Sequence, residues 1–166
     1  METIRKMAQQ VRQNPASRMA LMEAVCRQIT QKVGSTRASV WAFSALQDHI
    51  TCECLYDVRT GAFSSGARLN EDDFADYFKA IKDDLKVVAP DAREHPATSC
   101  FNTLYFLPNN IFSLLDFVVL DGREPVAVLC CEHCRDERAW TRQDMDFLQA
   151  MSAALAPAFG RQKRTV

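Results

Sequence analysis

SLLDFVVLDGREPVAVLCCEHC, Ser113 to Cys134, is the stretch on which the fold turns. Two runs rich in β-branched and apolar residues, Ser113–Leu120 and Pro125–Cys134, flank Asp121-Gly122, a dipeptide suited to the tight turn of a hairpin. Both strands read as buried on two faces. A sheet covered on both sides needs helices on both sides, so the rest of the chain must supply them.

Upstream, Ile4, Met7 and Val11 recur at helical spacing as far as Asn14-Pro15, where Asn14 is placed to cap and Pro15 to open a second helix. That helix carries Met19, Met22, Cys26, Ile29 and Val33 on one stripe, with Gly34 placed to end it. SVWAFS (Ser39–Ser44) and ITCECLYDV (Ile50–Val58) predict another hairpin. After a polar loop, Asn70 and the acidic Glu71, Asp72 and Asp73 predict a capped helix over 71–84, with Phe74, Tyr77, Phe78 and Ile81 on its stripe. Lys86–Ala89 predicts a short strand, and Pro96 the start of a helix over 97–107 through Phe101, Leu104 and Tyr105, ended by Pro108. Thr141 and Asp144 have the spacing of a capping box before a last helix bearing Met145, Leu148, Met151 and Leu155, whose end Pro157 weakens. The order ααββαβαββα predicts an α+β fold, an α/β/α sandwich around a mostly antiparallel central sheet of five or six strands.

A chain of 166 residues suits one domain, which at this size buries roughly 70% of its unfolded surface. Its 20 basic and 21 acidic side chains are interspersed and the net charge is −1, so neither nucleic acid nor a membrane surface is expected as a partner. Seven cysteines at uneven spacing, with no apolar run long enough for a signal peptide or a spanning helix, predict a reduced, soluble, cytoplasmic protein. The five glycines form no phosphate-cradling loop, and no triad or HExxH pattern supports a hydrolase or kinase.

CCEHC, Cys130 to Cys134, invites a metal or redox reading. On a strand, however, Cys130, Glu132 and Cys134 face one way while Cys131 and His133 face the other, so the five cannot converge on one ion. Same-face neighbours also lie about 6.6 Å apart, too far for two thiolates each about 2.3 Å from one zinc. A break near His133 would permit a CxxC knuckle, but no second CxxC accompanies it, only the C-x-C of Cys52 and Cys54. A redox CxxC belongs at a helix N-terminus, and here RDERAW intervenes before Thr141. The remaining reading makes these thiols small hydrophobes on a buried strand, with no metal, no cofactor and no catalytic residue expected. Cys100, at a helix start beside a polar loop, is the thiol expected to be most reactive.

The second half resembles the GAF domain of bacterial signalling proteins, particularly those attached to histidine kinases and diguanylate cyclases. The resemblance spans roughly residues 17 to 160. It is carried by the Asp91–Arg93 loop, Leu115-Asp116, Glu132-His133 and the Trp140-Thr141 entry to the last helix. Departures are Ala75, where such domains often have proline, Cys134 after the histidine, and Val126-Ala127 in place of glycine-valine. The asparagine-lysine-phenylalanine-aspartate-glutamate signature of cyclic-nucleotide-binding members and the aspartate-isoleucine-proline motif of bilin-binding members do not occur. The resemblance implies one GAF domain over 1–166, with an N-terminal helix to residue 16, a core over 17–160 and a basic tail over 161–166.

It also implies a sensory module whose small-molecule ligand or partner sits between the sheet and the helices at 71–84 and 97–107. Phe74, Tyr77, Phe78, Phe101 and Tyr105 are the expected aromatic wall, and Asp91, Arg93, Asp116 and Glu132 the polar groups that orient a ligand. Each has a plainer alternative, the aromatics as core and the Asp and Arg groups as ties between loops and strand ends. Two other functions are open: a thiol enzyme similar to free methionine-R-sulfoxide reductases, whose flanking cysteine motifs are missing here, and a structural dimerisation module. The apolar stripes of the first two and last helices predict a homodimer, and the resemblance implies an attached effector domain or a partner kinase or cyclase.

Overall fold

The computed structural model describes residues 1–160; the expected basic tail over 161–166 lies outside the described residues. In chain order the elements are α1 (Glu2–Gln13), α2 (Arg18–Val33), β1 (Arg37–Phe43), β2 (His49–Asp57), β3 (Ala62–Ser64), β4 (Arg68–Asn70), α3 (Ala75–Asp83), β5 (Lys86–Ala89), β6 (Ile111–Asp121), β7 (Glu124–Cys134) and α4 (Arg142–Leu155). The β6–β7 hairpin closes at Gly122, whose φ of +65° explains the glycine in the turn.

All pairings are antiparallel, in the order β3-β2-β1-β7-β6-β5 with β4 also paired to β2, which makes seven strands. Five or six strands were expected, five of them placed in the sequence; the two not placed are β3 and β4, within the stretch read as a polar loop. Each is three residues long, too short to show a period. They form because the outer edge of β2 offers unpaired N–H and C=O groups, which Leu55↔Ser64 and Ile50↔Leu69 pairings satisfy.

Side-chain alternation divides the core in two. On one face Leu115, Phe117 and Val119 of β6 and Ala127, Leu129 and Cys131 of β7 pack under α1, α2 and α4. On the other, Leu114 and Val118 of β6 and Val128, Cys130 and Cys134 of β7 pack under α3 and the segment from Phe101 to Phe106. The expected split of CCEHC between two faces is therefore present.

Capping follows the sequence at three helix ends. Asn14 Oδ1 accepts a bond from Ala16 N–H, Gly34 ends α2 at φ +72°, and Thr141 with Asp144 forms a complete capping box on α4. Arg138 joins two of these ends. Its guanidinium donates to the carbonyls of Val33 and Gly34, the exposed acceptors at the end of α2, and to Asp144 of the box.

Two helices depart from expectation. Residues 71–73 form a separate 3₁₀ turn, Phe74 at φ −137° interrupts the helix, and the Asn70 side chain donates to Asp73 instead of capping backbone N–H groups. Residues 97–107 do not form one regular helix. A 3₁₀ turn (Ser99–Phe101) runs into a π turn (Asn102–Phe106) and a last α turn (Leu107–Asn109), which Asn110 ends at φ +56°. Pro108 lies inside that last turn, near its start, where a missing N–H leaves no bond unmade. The apolar stripe from which self-association was expected is covered within the chain. Ile4, Val11, Met22, Ile29, Leu148 and Met151 are all buried against one another and the sheet, while Met19 is 51% exposed.

Candidate ligand-binding cavity

A cavity of about 250 Å³ opens above the middle of the sheet on the α3 side. Its floor comes from three adjacent central strands: Trp41 of β1, Leu114 and Asp116 of β6, and Cys130 and Glu132 of β7. Period-2 alternation puts 114 with 116 and 130 with 132 on one face, and the register sets Asp116 beside Cys130 and Leu114 beside Glu132. Phe74 and Tyr77 form one wall, Phe101, Leu104, Tyr105 and Phe106 another, and Ala67–Leu69 the rim. The irregular winding of 99–109 directs Phe101, Tyr105 and Phe106 into the protein and leaves Leu104 79% exposed at the mouth. The wall aromatics touch one another, with ring centroids 4.7 Å apart for Phe74–Phe101 and 5.0 Å for Tyr77–Phe101.

Two carboxylates are buried in this apolar setting. Tyr77 donates its hydroxyl proton to Asp116 Oδ2 at 2.6 Å, while Oδ1 has no hydrogen-bond partner. Burial pushes the Asp116 carboxyl up to about 7, against the opposing pull of its bonds with Cys130 and Tyr77. Glu132 lies 3.2 Å from Arg37 Nε, an ion-pair distance without hydrogen-bond alignment, so Arg37 Nε and Nη1 and Glu132 Oε2 are left unbonded. Burial raises the Glu132 carboxyl and the Arg37 charge opposes the rise. Arg37 in turn donates through Nη2 to the Tyr105 hydroxyl at 3.2 Å and lies 3.8 Å from Asp57. Because Arg37 pairs with Asp57 on β2 and with Glu132 on β7, one register row carries acid, base, acid across three strands. Arg59 closes that row on the outside, 2.6 Å from Asp57.

Six of the nine expected site residues line the cavity: Phe74, Tyr77, Phe101, Tyr105, Asp116 and Glu132. Phe78, Asp91 and Arg93 do not. Phe78 is fully buried one residue beyond Tyr77, edge-on to Phe43 and below Lys82. Asp91 Oδ1 accepts from the N–H groups of Arg93 and Glu94, and Arg93 donates to the Ile111 carbonyl at 2.7 Å while stacking 3.7 Å from the Phe112 ring centroid. These two residues tie their loop to the start of β6. The sequence reading missed Trp41 and Cys130 in the lining, and also Arg37, which does not line the cavity but pairs with Glu132. The available signal was Arg37 itself, a charge two residues before the strand read as starting at Ser39 and in the same alternation.

The cysteines are all free, six buried and Cys100 exposed. Cys100 was expected to be the reactive thiol, yet partial burial raises it, and its Sγ–H faces only the Ala97 carbonyl at 3.8 Å. Burial likewise raises Cys130, Cys131 and Cys134. Among the described residues no three His, Cys, Asp or Glu side chains are grouped to hold a metal ion, and no helix is long and apolar enough to cross a membrane.

The chain belongs to the GAF domain family, whose profile matches residues 17–159. Among solved structures it is similar to the phycocyanobilin-bound GAF domain of a cyanobacterial phytochrome, at 13% identity and a TM-score of 0.73, covering 95% of this chain and 92% of that one. The GAF domain of Thermosynechococcus elongatus PixJ in its blue-light-absorbing form is similar at 13% identity and TM-score 0.71, with 86% of each chain covered. The GAF domain of an Acinetobacter phosphoenolpyruvate-protein phosphotransferase is similar at 13% identity and TM-score 0.68, covering 95% and 90%. No curated protein sequence matches the chain.

Proposed function

We propose that this GAF domain is a non-catalytic regulatory sensor, in which a small, partly apolar molecule occupies the cavity over β1, β6 and β7. The supporting observation is the pairing of an aromatic lining with buried polar atoms that make no hydrogen bond, Asp116 Oδ1 and Glu132 Oε2, the latter only in ion-pair range of Arg37. Such atoms are costly to leave unbonded in a low-dielectric site and are satisfied by whatever fills it. A site that is mostly apolar with a few convergent polar groups is the usual form of a small-molecule pocket. A structural neighbour that is a phycocyanobilin-bound GAF domain supports a ligand role for the fold. The raised thiols support a site without nucleophilic chemistry.

Occupancy would be passed on through α1 and α4, which pack on each other on the far side of the sheet. The output in this proposal is a partner or attached kinase or cyclase in the cytoplasm, as in a two-component system, with two copies of the chain paired through the outer faces of the same helices. Sedimentation equilibrium tests the pairing: the proposal requires a species of twice 18.8 kDa, and a lone monomer at tens of micromolar removes it. The ligand reading is tested by thermal shift with a broad panel of metabolites, nucleotides and haem. A ligand at 100 times its Kd stabilises the folded state by about 2.7 kcal/mol, or about 5–10 °C in Tm for a chain of this size. If no compound raises Tm, the cavity is a structural feature and the sensory reading falls.

A further inference from the structure

The cavity has acceptors and aromatic faces, and no cation stands on its floor or aromatic walls. Of the charged groups that line it, Arg68 is at the exposed rim with its Nε on Asn70 Oδ1 at 2.8 Å, so its charge lies in water. Arg37 is not in the lining: it lies within ion-pair distance of Glu132 and Asp57, with Nε and Nη1 making no hydrogen bond. Asp116 is faced by the Tyr77 hydroxyl from α3 and by Cys130 and Glu132 from β7, a set that contains no positive charge. The indole N–H of Trp41 is already donated to Ser39 Oγ at 2.8 Å. Beyond the weak thiol donor of Cys130, the lining therefore offers no free N–H or charged donor to Asp116 Oδ1, which has no hydrogen-bond partner in a residue only 1% exposed. An orphaned carboxylate oxygen accepts N–H or O–H donors, and aromatic faces attract organic cations.

We propose that the cavity recognises a compact organic cation, an ammonium or amidinium group on an apolar or aromatic body, whose N–H groups are held by Asp116 Oδ1 and Glu132 Oε2 against the aromatic wall. This rests on the cavity being a ligand site, and it adds the charge and donor pattern of the ligand. A purely apolar occupant leaves both oxygens unbonded, and an anion places another negative charge beside two carboxylates.

The test is a charge series of near-isosteric probes on the intact protein: benzamidine and phenethylamine as cations, benzamide as neutral, benzoate as anion. Binding is read by quenching of Trp41, which lines the cavity whereas Trp140 packs in the other core, and by thermal shift. The expected result is a cation bound at least about tenfold more tightly than benzamide, with no binding of benzoate. Affinity for the cation should rise between pH 6 and 8 as Asp116 ionises, and Asp116→Asn should abolish both the preference and the pH dependence. The charge series and pH profile of the unaltered protein carry the test if the variant does not fold. Equal or tighter binding of benzamide or benzoate overturns the inference and leaves the ligand reading intact. The same holds if neither cation binds while a neutral or anionic compound of the broad panel does. Failure of every compound in both sets removes the two together.

Discussion

Replacing Asp116 with Asn should make the protein more stable, and increasingly so as pH rises. Asp116 is fully buried, with the Cys130 thiol and the Tyr77 hydroxyl as its bonds, and its carboxyl is raised from 3.8 to about 7. In the unfolded chain the same group ionises near pH 4. Between these limits the folded state holds a proton that the unfolded state has released, so this group's contribution is fully present below about pH 4 and is lost as pH rises through 7. At about 1.4 kcal/mol per pH unit, the loss is on the order of 4 kcal/mol by pH 8. Asn keeps the acceptor for Tyr77 and cannot ionise, so it escapes the loss. Urea melts of both proteins from pH 4 to 8 measure the difference. The variant should match the parent within about 1 kcal/mol at pH 4 and exceed it by several at pH 8, or roughly 8–16 °C in Tm. A difference independent of pH would mean that Asp116 is ionised in the folded protein throughout, and the account of the cavity as cation-poor would fail.

Arg37→Met removes the cation that lies between Glu132 and Asp57 in their shared row, and it should cost about 3–5 kcal/mol, as breaking a buried pair does. With Arg37 gone the Glu132 carboxyl rises further, so the loss should be greater at pH 8 than at pH 5, and a companion Glu132→Gln change should recover part of it in chemical denaturation. Arg138→Ala deletes the bonds to Val33 and Gly34 carbonyls and to Asp144. It should lower stability by about 1–3 kcal/mol, with the ends of α2 and α4 losing hydrogen-exchange protection before the sheet. Protein purified without chelator should carry no stoichiometric zinc by elemental analysis, because Cys131 and Cys134 lie in opposite cores; stoichiometric zinc lost on changing both to Ser would contradict that arrangement.

The elements and their order were legible because their causes are local. Hairpins follow from two apolar runs about a Gly turn at Gly122, helix ends from Asn14, Gly34 and the Thr141–Asp144 box, and the two-sided burial of β6 and β7 from their composition. The split of CCEHC followed from strand alternation alone. The cavity wall was legible where the same periodicity applied, at Phe74, Tyr77, Phe101 and Tyr105, and the floor where the resemblance marked Asp116 and Glu132. Other features depended on contacts distant in sequence. β3 and β4 exist because β2 has an edge to satisfy, and the winding of 99–109 passes through 3₁₀ and π turns to seat three aromatic rings over the sheet. Phe78 left the expected site because one residue along a helix is a turn of about 100° from Tyr77. Asp91 and Arg93 left it because backbone groups of their own loop and of β6 took their bonding capacity. Arg37, Asp57 and Glu132 form one row only because three antiparallel strands align residues that are 20 and 95 positions apart from Arg37. Composition and period determine which face of an element is buried; which polar groups meet on that face is decided by strand register, and register is a property of the folded sheet.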